Sequence, residues 1–317
     1  MKTGNFSPID SLDIRIIELL ELDSRQNYKD IAAKLGASRA TITSRVQQLL
    51  DKGIINMYCW VNPVTMSYKF PVTLFISAMA GQINAVADRL KAYPQIPIVN
   101  LCTGSFDIFA LGFFNERKDL SNFILDELDS IPGIGHVEKL VTLQEVKATS
   151  MFLTDEGEMP YQNNREKDLV NLDDLDVKLI RELQNNARQK TGYLVRQLGA
   201  SQPTIYRRIK RLVQRDVIRM KILVDPFVVG YEGVAVIGLK CDPDKVEEVA
   251  ATIASYKQAL YVTICAGRYD IATWVMFRTL SDLRHFITTD IGCIPGLKDT
   301  ETMISHKVVK MSLQMPM

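Results

Sequence analysis

TGSFDI occupies residues 103–108 and AGRYDI residues 266–271. Each is a small residue, a glycine, a variable position, an aromatic ring, an aspartate and an isoleucine, set between apolar runs. Their glycines, Gly104 and Gly267, stand 163 positions apart. Shifting the whole chain by that offset brings LDIRII from Leu12 onto LDVKLI from Leu175, and the LGAS ending at Ser38 onto the LGAS ending at Ser201. It also brings Asn62-Pro63 onto Asp225-Pro226, Ser67-Tyr68 onto Gly230-Tyr231, IPGI from Ile131 onto IPGL from Ile294, and Lys147 onto Lys310, with no insertion or deletion. Solenoid repeats have periods of roughly 20–50 residues, so this offset marks a duplicated unit of domain size. The chain is two modules, 12–147 and 175–310.

Within module one, Leu12, Ile16, Leu19 and Leu20 recur at helical spacing and predict a helix over 12–22. A second helix is predicted from Tyr28 to Leu35 and closed by Gly36. Ser38 then caps a third, with Ile42, Val46 and Leu49 inward. Ile54-Ile55 opens an extended segment, which completes a winged helix-turn-helix. Module two repeats the pattern over 175–185, 191–198 and 201–214, with Ile205, Ile209 and Leu212 inward and Pro203 in the first turn, where proline is tolerated.

Beyond Pro63 the pattern becomes β-α-β-β-α-β: strands at 72–78, 98–103, 106–114 and 137–146, helices at 86–92 and 120–128. That order predicts a ferredoxin-like unit with both helices on one face of an antiparallel sheet. The fold class is therefore α+β, in five parts. These are winged helix-turn-helix 1 (1–62), ferredoxin-like domain 1 (63–150), an acidic linker (151–174), winged helix-turn-helix 2 (175–225) and ferredoxin-like domain 2 (226–317). The opening hexapeptides fall at the hairpin between the middle strands, where a glycine first in the turn suits a two-residue type II′ connection.

Composition adds limits. The 317 residues are 47% hydrophobic, enough to bury large cores. No apolar run approaches the ~18 residues of a membrane span and the first ten residues are too polar for a signal peptide, so a cytoplasmic location is expected. Five cysteines form no CxxC pair, and three scattered histidines, His136, His285 and His306, have no ligand spacing, so neither a disulfide framework nor a metal or other cofactor is expected. Net charge is only +1, but its distribution is uneven. Residues 175–221 hold 12 Lys and Arg against 3 Asp and Glu, residues 12–58 hold 7 against 6, and residues 148–174 hold 2 against 7.

RQNYKDIAAKLGASRATITSRVQQLLDKGII, NPVTMSY, TGSFDI and IPGI, each with its counterpart 163 residues on, resemble the Lrp/AsnC family of feast/famine transcription regulators. The resemblance implies N-terminal DNA-binding domains and C-terminal domains that oligomerise and bind an effector, usually an amino acid, near the glycine-aspartate hairpin. Carried over by position, the effector residues are Gly104, Ser105, Phe106, Asp107, Gly267, Arg268, Tyr269 and Asp270. This chain departs from the family in carrying both modules covalently, and in having Phe106 where tyrosine is more usual.

The expected contacts to double-stranded DNA are Ser38, Arg39, Thr41, Ser44, Arg45 and Gln48 in module one, and Gln202, Thr204, Arg207, Arg208, Lys210 and Arg211 in module two. Arg and Lys would meet phosphates, and Gln, Thr or Arg base edges. The plainer alternative is a solvated basic face. For the hairpins the plainer alternative is a glycine that makes the turn and an aspartate that caps a backbone group. Cys102 and Cys265, at equivalent positions before the hairpins, are candidates for redox sensing, against the more ordinary role of small buried apolar residues. A rival of another class is an enzyme resembling siroheme decarboxylases, which share this scaffold and are expected to carry histidine and arginine around a tetrapyrrole; the hairpin segments here contain no histidine, which leaves that reading a site built on carboxylate and arginine. The expectation is a non-enzymatic regulator, with a small-molecule effector, a homo-oligomeric assembly and non-identical half-sites on DNA.

Overall fold

The computed structural model describes residues 9–62, 70–153 and 171–311. All of the NPVTMSY motif but Asn62, and most of the acidic linker, lie outside these residues. In module one, α1 (Ser11–Leu22), α2 (Tyr28–Leu35) and α3 (Arg39–Asp51) form the three-helix unit, followed by β1 (Ile55–Val61). In module two α6 (Asp174–Asn185), α7 (Thr191–Leu198) and α8 (Gln202–Gln214) repeat it, followed by β6 (Ile218–Val224). The helix starts are set by side chains. Asp10 and Asp173 form capping boxes with Asp13 and Asp176, and Ser38 and Ser201 accept from the amides of Thr41 and Thr204.

The strand after each third helix does not fold back on its own module. β1 pairs antiparallel with β6, from Ile55 opposite Val224 to Val61 opposite Ile218. Each three-helix unit thus closes its core on the other module's strand. Ile222, Val224 and Met276 complete the core under α1–α3, while Cys59, Val61 and Phe113 complete the one under α6–α8. A second bridge joins the α1–α2 and α6–α7 turns. There Arg25 donates to the carbonyl of Ala187, and Arg188 donates to the carbonyl of Ser24 and lies over the Tyr28 ring.

The ferredoxin-like domains follow the expected order: β2 (Phe70–Ala78), α4 (Ile83–Ala92), β3 (Ile98–Thr103), β4 (Ile108–Phe114), α5 (Arg117–Asn122) and β5 (Ile134–Ala148). A π-helical turn, Phe123–Leu128, continues α5. Module two supplies β7 (Gly233–Cys241), α9 (Val246–Ser255), β8 (Ala259–Ala266), β9 (Ile271–Phe277), α10 (Leu280–His285), its π-helical continuation Phe286–Ile291, and β10 (Leu297–Met311). The helices cover one face of each sheet, with Val86, Leu90 and Phe123 packed on Val72, Leu74 and Ile76 in module one.

The closure of the sheets is not legible in the pattern of either module. The 15-residue last strands are long enough to serve two sheets. The first half of β5 pairs with β2 and its second half with β8; β10 pairs with β7 and then with β3. Eight strands therefore close in the order β10-β3-β4-β2-β5-β8-β9-β7. Closure removes the sheet edges that would otherwise invite pairing with other chains. Between the two sheets lies a shared core of Phe75, Phe109, Leu140, Val236, Met303 and the two hairpin aromatics, Phe106 and Tyr269.

Candidate nucleic-acid interface and effector cleft

The recognition helices α3 and α8 are 13 residues each, capped alike, and bury homologous apolar residues: Ile42, Val46 and Leu49 in one, Ile205 and Leu212 in the other. Ile209, expected inward, is half-buried. Their outer faces differ. On α3, Arg39, Ala40, Thr43, Ser44, Gln47 and Gln48 line one shallow open depression of about 670 Å³. On α8 the same positions carry Gln202, Pro203, Tyr206, Arg207, Lys210 and Arg211.

Three of the expected DNA-contacting arginines are engaged inside the protein. Arg45 reaches Asp10 at 2.8 Å and Asp13 at 3.1 Å. Its counterpart Arg208 reaches Asp173 at 2.7 Å and Asp176 at 2.9 Å, and Arg211 also pairs with Asp176. Asp176 is fully buried, and the Arg208 guanidinium holds the Asp173 carboxyl below its ordinary range. The capping-box carboxylates of α1 and α6 thus do double duty: they start one helix and fix the angle of another. Ser38 and Thr41, and likewise Ser201 and Thr204, share hydroxyl hydrogen bonds of 2.9 Å at the helix starts. Arg39, Ser44, Gln202, Arg207 and Lys210 are exposed and make no side-chain ion pair or hydrogen bond among the described residues. Tyr206 and Thr43, absent from the sequence-based set, also face outward; the 100° step of the helix from Ile205 and Ile42 is the signal that finds them.

The hairpins are wider than the two-residue turn expected: four residues, Gly104–Asp107 and Gly267–Asp270, separate the strands. The glycines answer to a close approach between modules. A Cβ on Gly104 (φ 127°) would stand 2.8 Å from the Thr302 carbonyl oxygen on β10, and one on Gly267 (φ 148°) 2.8 Å from that of Lys139 on β5. The aspartates cap backbone. Asp107 Oδ2 accepts from the Ala78 amide and Asp270 Oδ2 from the Cys241 amide, each at 2.9 Å. Phe106 and Tyr269 are core residues, 5.6 and 5.8 Å from Phe75.

Arg268 turns toward the line between the modules. It bonds Glu301 at 3.0 Å, approaches Glu138 at 3.5 Å and lies over the rings of Phe106 and Tyr269. Glu138 and Glu301 are counterparts under the 163-residue shift, so one arginine serves two equivalent carboxylates; its own counterpart is Ser105. Despite burial, which opposes it, hydrogen bonding by Ser105 and Tyr269 and the Arg268 charge hold Glu301 below its ordinary pKa. His136 also reaches this cluster, bonding Glu138 at 3.0 Å and stacking 6.5 Å from Phe106. A histidine therefore does stand at a hairpin, brought there by β5 and invisible in the hairpin segment itself.

At Asp270 an open cleft of about 820 Å³ is lined by Leu143 and Gln144 of β5, Asp244, Val246 and Glu247 at the start of α9, and Ile264 and Cys265 of β8. Two modules build it. Burial pushes the Cys102 and Cys265 thiols up to about 12, which opposes the thiolate that redox chemistry requires. Among the described residues no group of His, Cys, Asp or Glu is arranged to hold a metal, and no helix is long and apolar enough to cross a membrane.

Comparison with known proteins agrees with this division. A family model for the Lrp/AsnC ligand binding domain matches residues 72–152 and again 234–315. A winged helix-turn-helix DNA-binding model matches 9–56, and an AsnC-type helix-turn-helix model matches 172–213. An uncharacterized HTH-type transcriptional regulator of Pyrococcus furiosus is 36% identical over 140 residues, 44% of this chain and 95% of that protein. The HTH-type transcriptional regulator FL11 of Pyrococcus horikoshii is 32% identical over 144 residues, 45% of this chain and 95% of that protein. Among solved structures, the siroheme decarboxylase NirDL covers 95% of this chain and 92% of its own, with a TM-score of 0.63 and 14% identity. That likeness concerns the tandem scaffold alone.

Proposed function

Since the chain belongs to the Lrp/AsnC family, we propose that it is a DNA-binding transcriptional regulator in which one polypeptide supplies both recognition helices and both effector domains. The observation that carries the reading is the pair α3 and α8, capped and buried alike and held together by the β1–β6 ribbon. Arg207 and Lys210 meet phosphates of double-stranded DNA, while Gln202 and Thr204 in module two and Arg39, Thr41, Ser44 and Gln48 in module one lie over the groove. Arg45, Arg208 and Arg211 act from within their ion pairs and set the helix angle. Because the outer faces differ, the two half-sites differ in sequence. Two chains associating further would restore a two-fold axis.

The effector is a small amine-bearing metabolite of the amino-acid class, seated in the cleft at Asp270. Asp270 Oδ2 is held by the Cys241 amide, which leaves Oδ1 for an ammonium group, with Leu143, Val246 and Ile264 flanking the side chain. Selection from a random DNA pool, repeated with a panel of amino acids, tests both parts. A site of two unlike halves, with affinity altered by one metabolite, is expected; no selected sequence overturns the regulator, and no responsive metabolite overturns the effector.

A non-enzymatic role accords with the regulator relatives. His136 beside Phe106 is the feature that favours catalysis, and incubation with siroheme decides it. An unchanged absorption spectrum is expected, and substrate loss abolished by His136→Ala would establish an enzyme.

A further inference from the structure

We infer that Tyr206 is a specificity-determining contact of module two, its ring packing on the C5-methyl of a thymine in the major groove at a position where module one offers only Thr43. The inference rests on the DNA-binding reading above and adds a residue and a base to it.

Three observations converge on this side chain. At 68% exposure Tyr206 is the most exposed large apolar side chain among the described residues. A ring left in water forgoes the burial that aromatic residues normally gain. Neither packing nor hydrogen bonding within the described fold accounts for it.

Its direction is also informative. Ile205 and Leu212 mark the buried side of α8. At about 100° per residue, Tyr206, Lys210 and Arg207 fall about 100°, 140° and 200° around from Ile205 and form one outward face. Arg208 and Arg211 fall on the far flank, where Asp173 and Asp176 hold them. The ring is therefore bordered by the cations of α8 that remain free to bind phosphate, and phosphate contacts are what fix a helix over the groove.

Position along the helix completes the case. With Ser201 as N-cap, Tyr206 is the fifth helical residue, in the N-terminal half from which recognition helices reach base edges. Apolar side chains distinguish thymine there by its methyl group, which the other bases lack. In α3 the equivalent Thr43 commits its one hydroxyl hydrogen to the Arg39 carbonyl at 2.8 Å, so module one lacks the ring at this place and has no free donor there.

The test compares the full chain with Tyr206→Ala and Tyr206→Phe by selection from a random pool and by fluorescence-anisotropy titration on the selected site. Tyr206→Ala should lose the preference for thymine at one position of one half-site and weaken binding there about 10-fold, with non-specific affinity and salt dependence unchanged; Tyr206→Phe should keep both. Uracil, a thymine without the methyl, placed at that position should weaken the wild type by the same factor and have no further effect on Tyr206→Ala. An unaltered selection profile in Tyr206→Ala, or a wild type indifferent to uracil throughout that half-site, overturns the inference and leaves the regulator standing. A wild type that selects no sequence overturns the regulator itself.

Discussion

Helices α3 and α8 have the same length, the same serine cap and the same buried spacing, yet they present different chemistry outward. One offers Thr43, Ser44 and Gln47, the other Tyr206, Arg207 and Lys210. The core positions are held by packing, which punishes volume changes of even one methylene, whereas nothing in the fold constrains an exposed face. The comparison also corrects a charge argument. Residues 175–221 carry 12 basic against 3 acidic side chains, but Arg208 and Arg211 are spent on Asp173 and Asp176. Charge counted along a sequence overstates charge offered to DNA.

The largest expected difference between the modules lies in those ion pairs. Asp176 is fully buried with two arginines, while Asp13 retains 10% exposure and has one. Removing Asp176 leaves Arg208 with Asp173 alone and takes away the ion pair of Arg211, whose side chain is 44% exposed, so the loss falls below the ~3–5 kcal/mol of stranding a fully buried charge. Asp176→Asn, which loosens two arginines rather than one, should lower the melting temperature of the interlocked pair of helix-turn-helix units more than Asp13→Asn does. Equal shifts would show that the two locks are equivalent.

The next difference is at the two seams of the barrel. Where β5 meets β8, burial pushes the Glu145 carboxyl up to about 7. Tyr261 lies beside it, and the hydroxyls of Tyr261 and Thr142 are buried without a hydrogen bond of ordinary geometry. The counterparts on the β10–β3 seam are Val308, Ile98 and Ser305. A carboxyl with a raised folded pKa binds its proton more tightly in the native state, so its penalty is absent below its ordinary pKa of 4.5 and grows as pH rises to about 7. Glu145→Gln should leave stability unchanged near pH 4 and raise it at pH 8, by about 3 kcal/mol. Thermal melts across this range would show it, and an identical pH slope in the variant would remove Glu145 from the account.

DNA binding sharpens the contrast between free and engaged cations. Each phosphate contact contributes about 0.9 to the slope of log affinity against log salt. Arg207→Ala with Lys210→Ala should reduce that slope by about two, whereas Arg208→Ala should leave it unchanged because its charge is already matched. A slope lowered equally by Arg208→Ala would mean that the ion pair opens on DNA.

Much of this was legible from two hexapeptides and one offset. The repeat, the helix caps at Ser38 and Ser201, and the β-α-β-β-α-β order follow from local periodicity, and local periodicity is what sequence displays. The illegible parts depend on meetings between modules. Nothing in Ile55–Val61 names Ile218–Val224 as its partner, and the second half of β5 looks the same whether it continues its own sheet or crosses to β8. At the site, the hairpin sequences show that Asp107 and Asp270 can cap backbone, as they do, but nothing in them shows that Arg268 meets Glu138 and Glu301, 130 and 33 residues away. His136 reached the hairpin by the same route.

The smallest expected difference separates the two hairpin aspartates, and it is the one that tests the effector. Asp107 and Asp270 accept the same hydrogen bond from the end of the first strand of their own sheets, from the amides of Ala78 in β2 and Cys241 in β7. Replacing either by asparagine exchanges a charged acceptor for a neutral one and should cost about 1 kcal/mol, equally in both modules. The aspartates part company at the cleft, which Asp270 lines with Asp244 and Glu247. A ligand that binds only the folded protein adds stability in proportion to the logarithm of its concentration over its dissociation constant. Asp270→Asn should therefore abolish the ligand-dependent rise in melting temperature, while Asp107→Asn keeps it after the same small loss of basal stability. If both variants lose the response, the hairpins act as a symmetric pair and the asymmetry of Arg268 and Ser105 does not reach the effector; if neither does, the ammonium group is held by Asp244 or Glu247 instead.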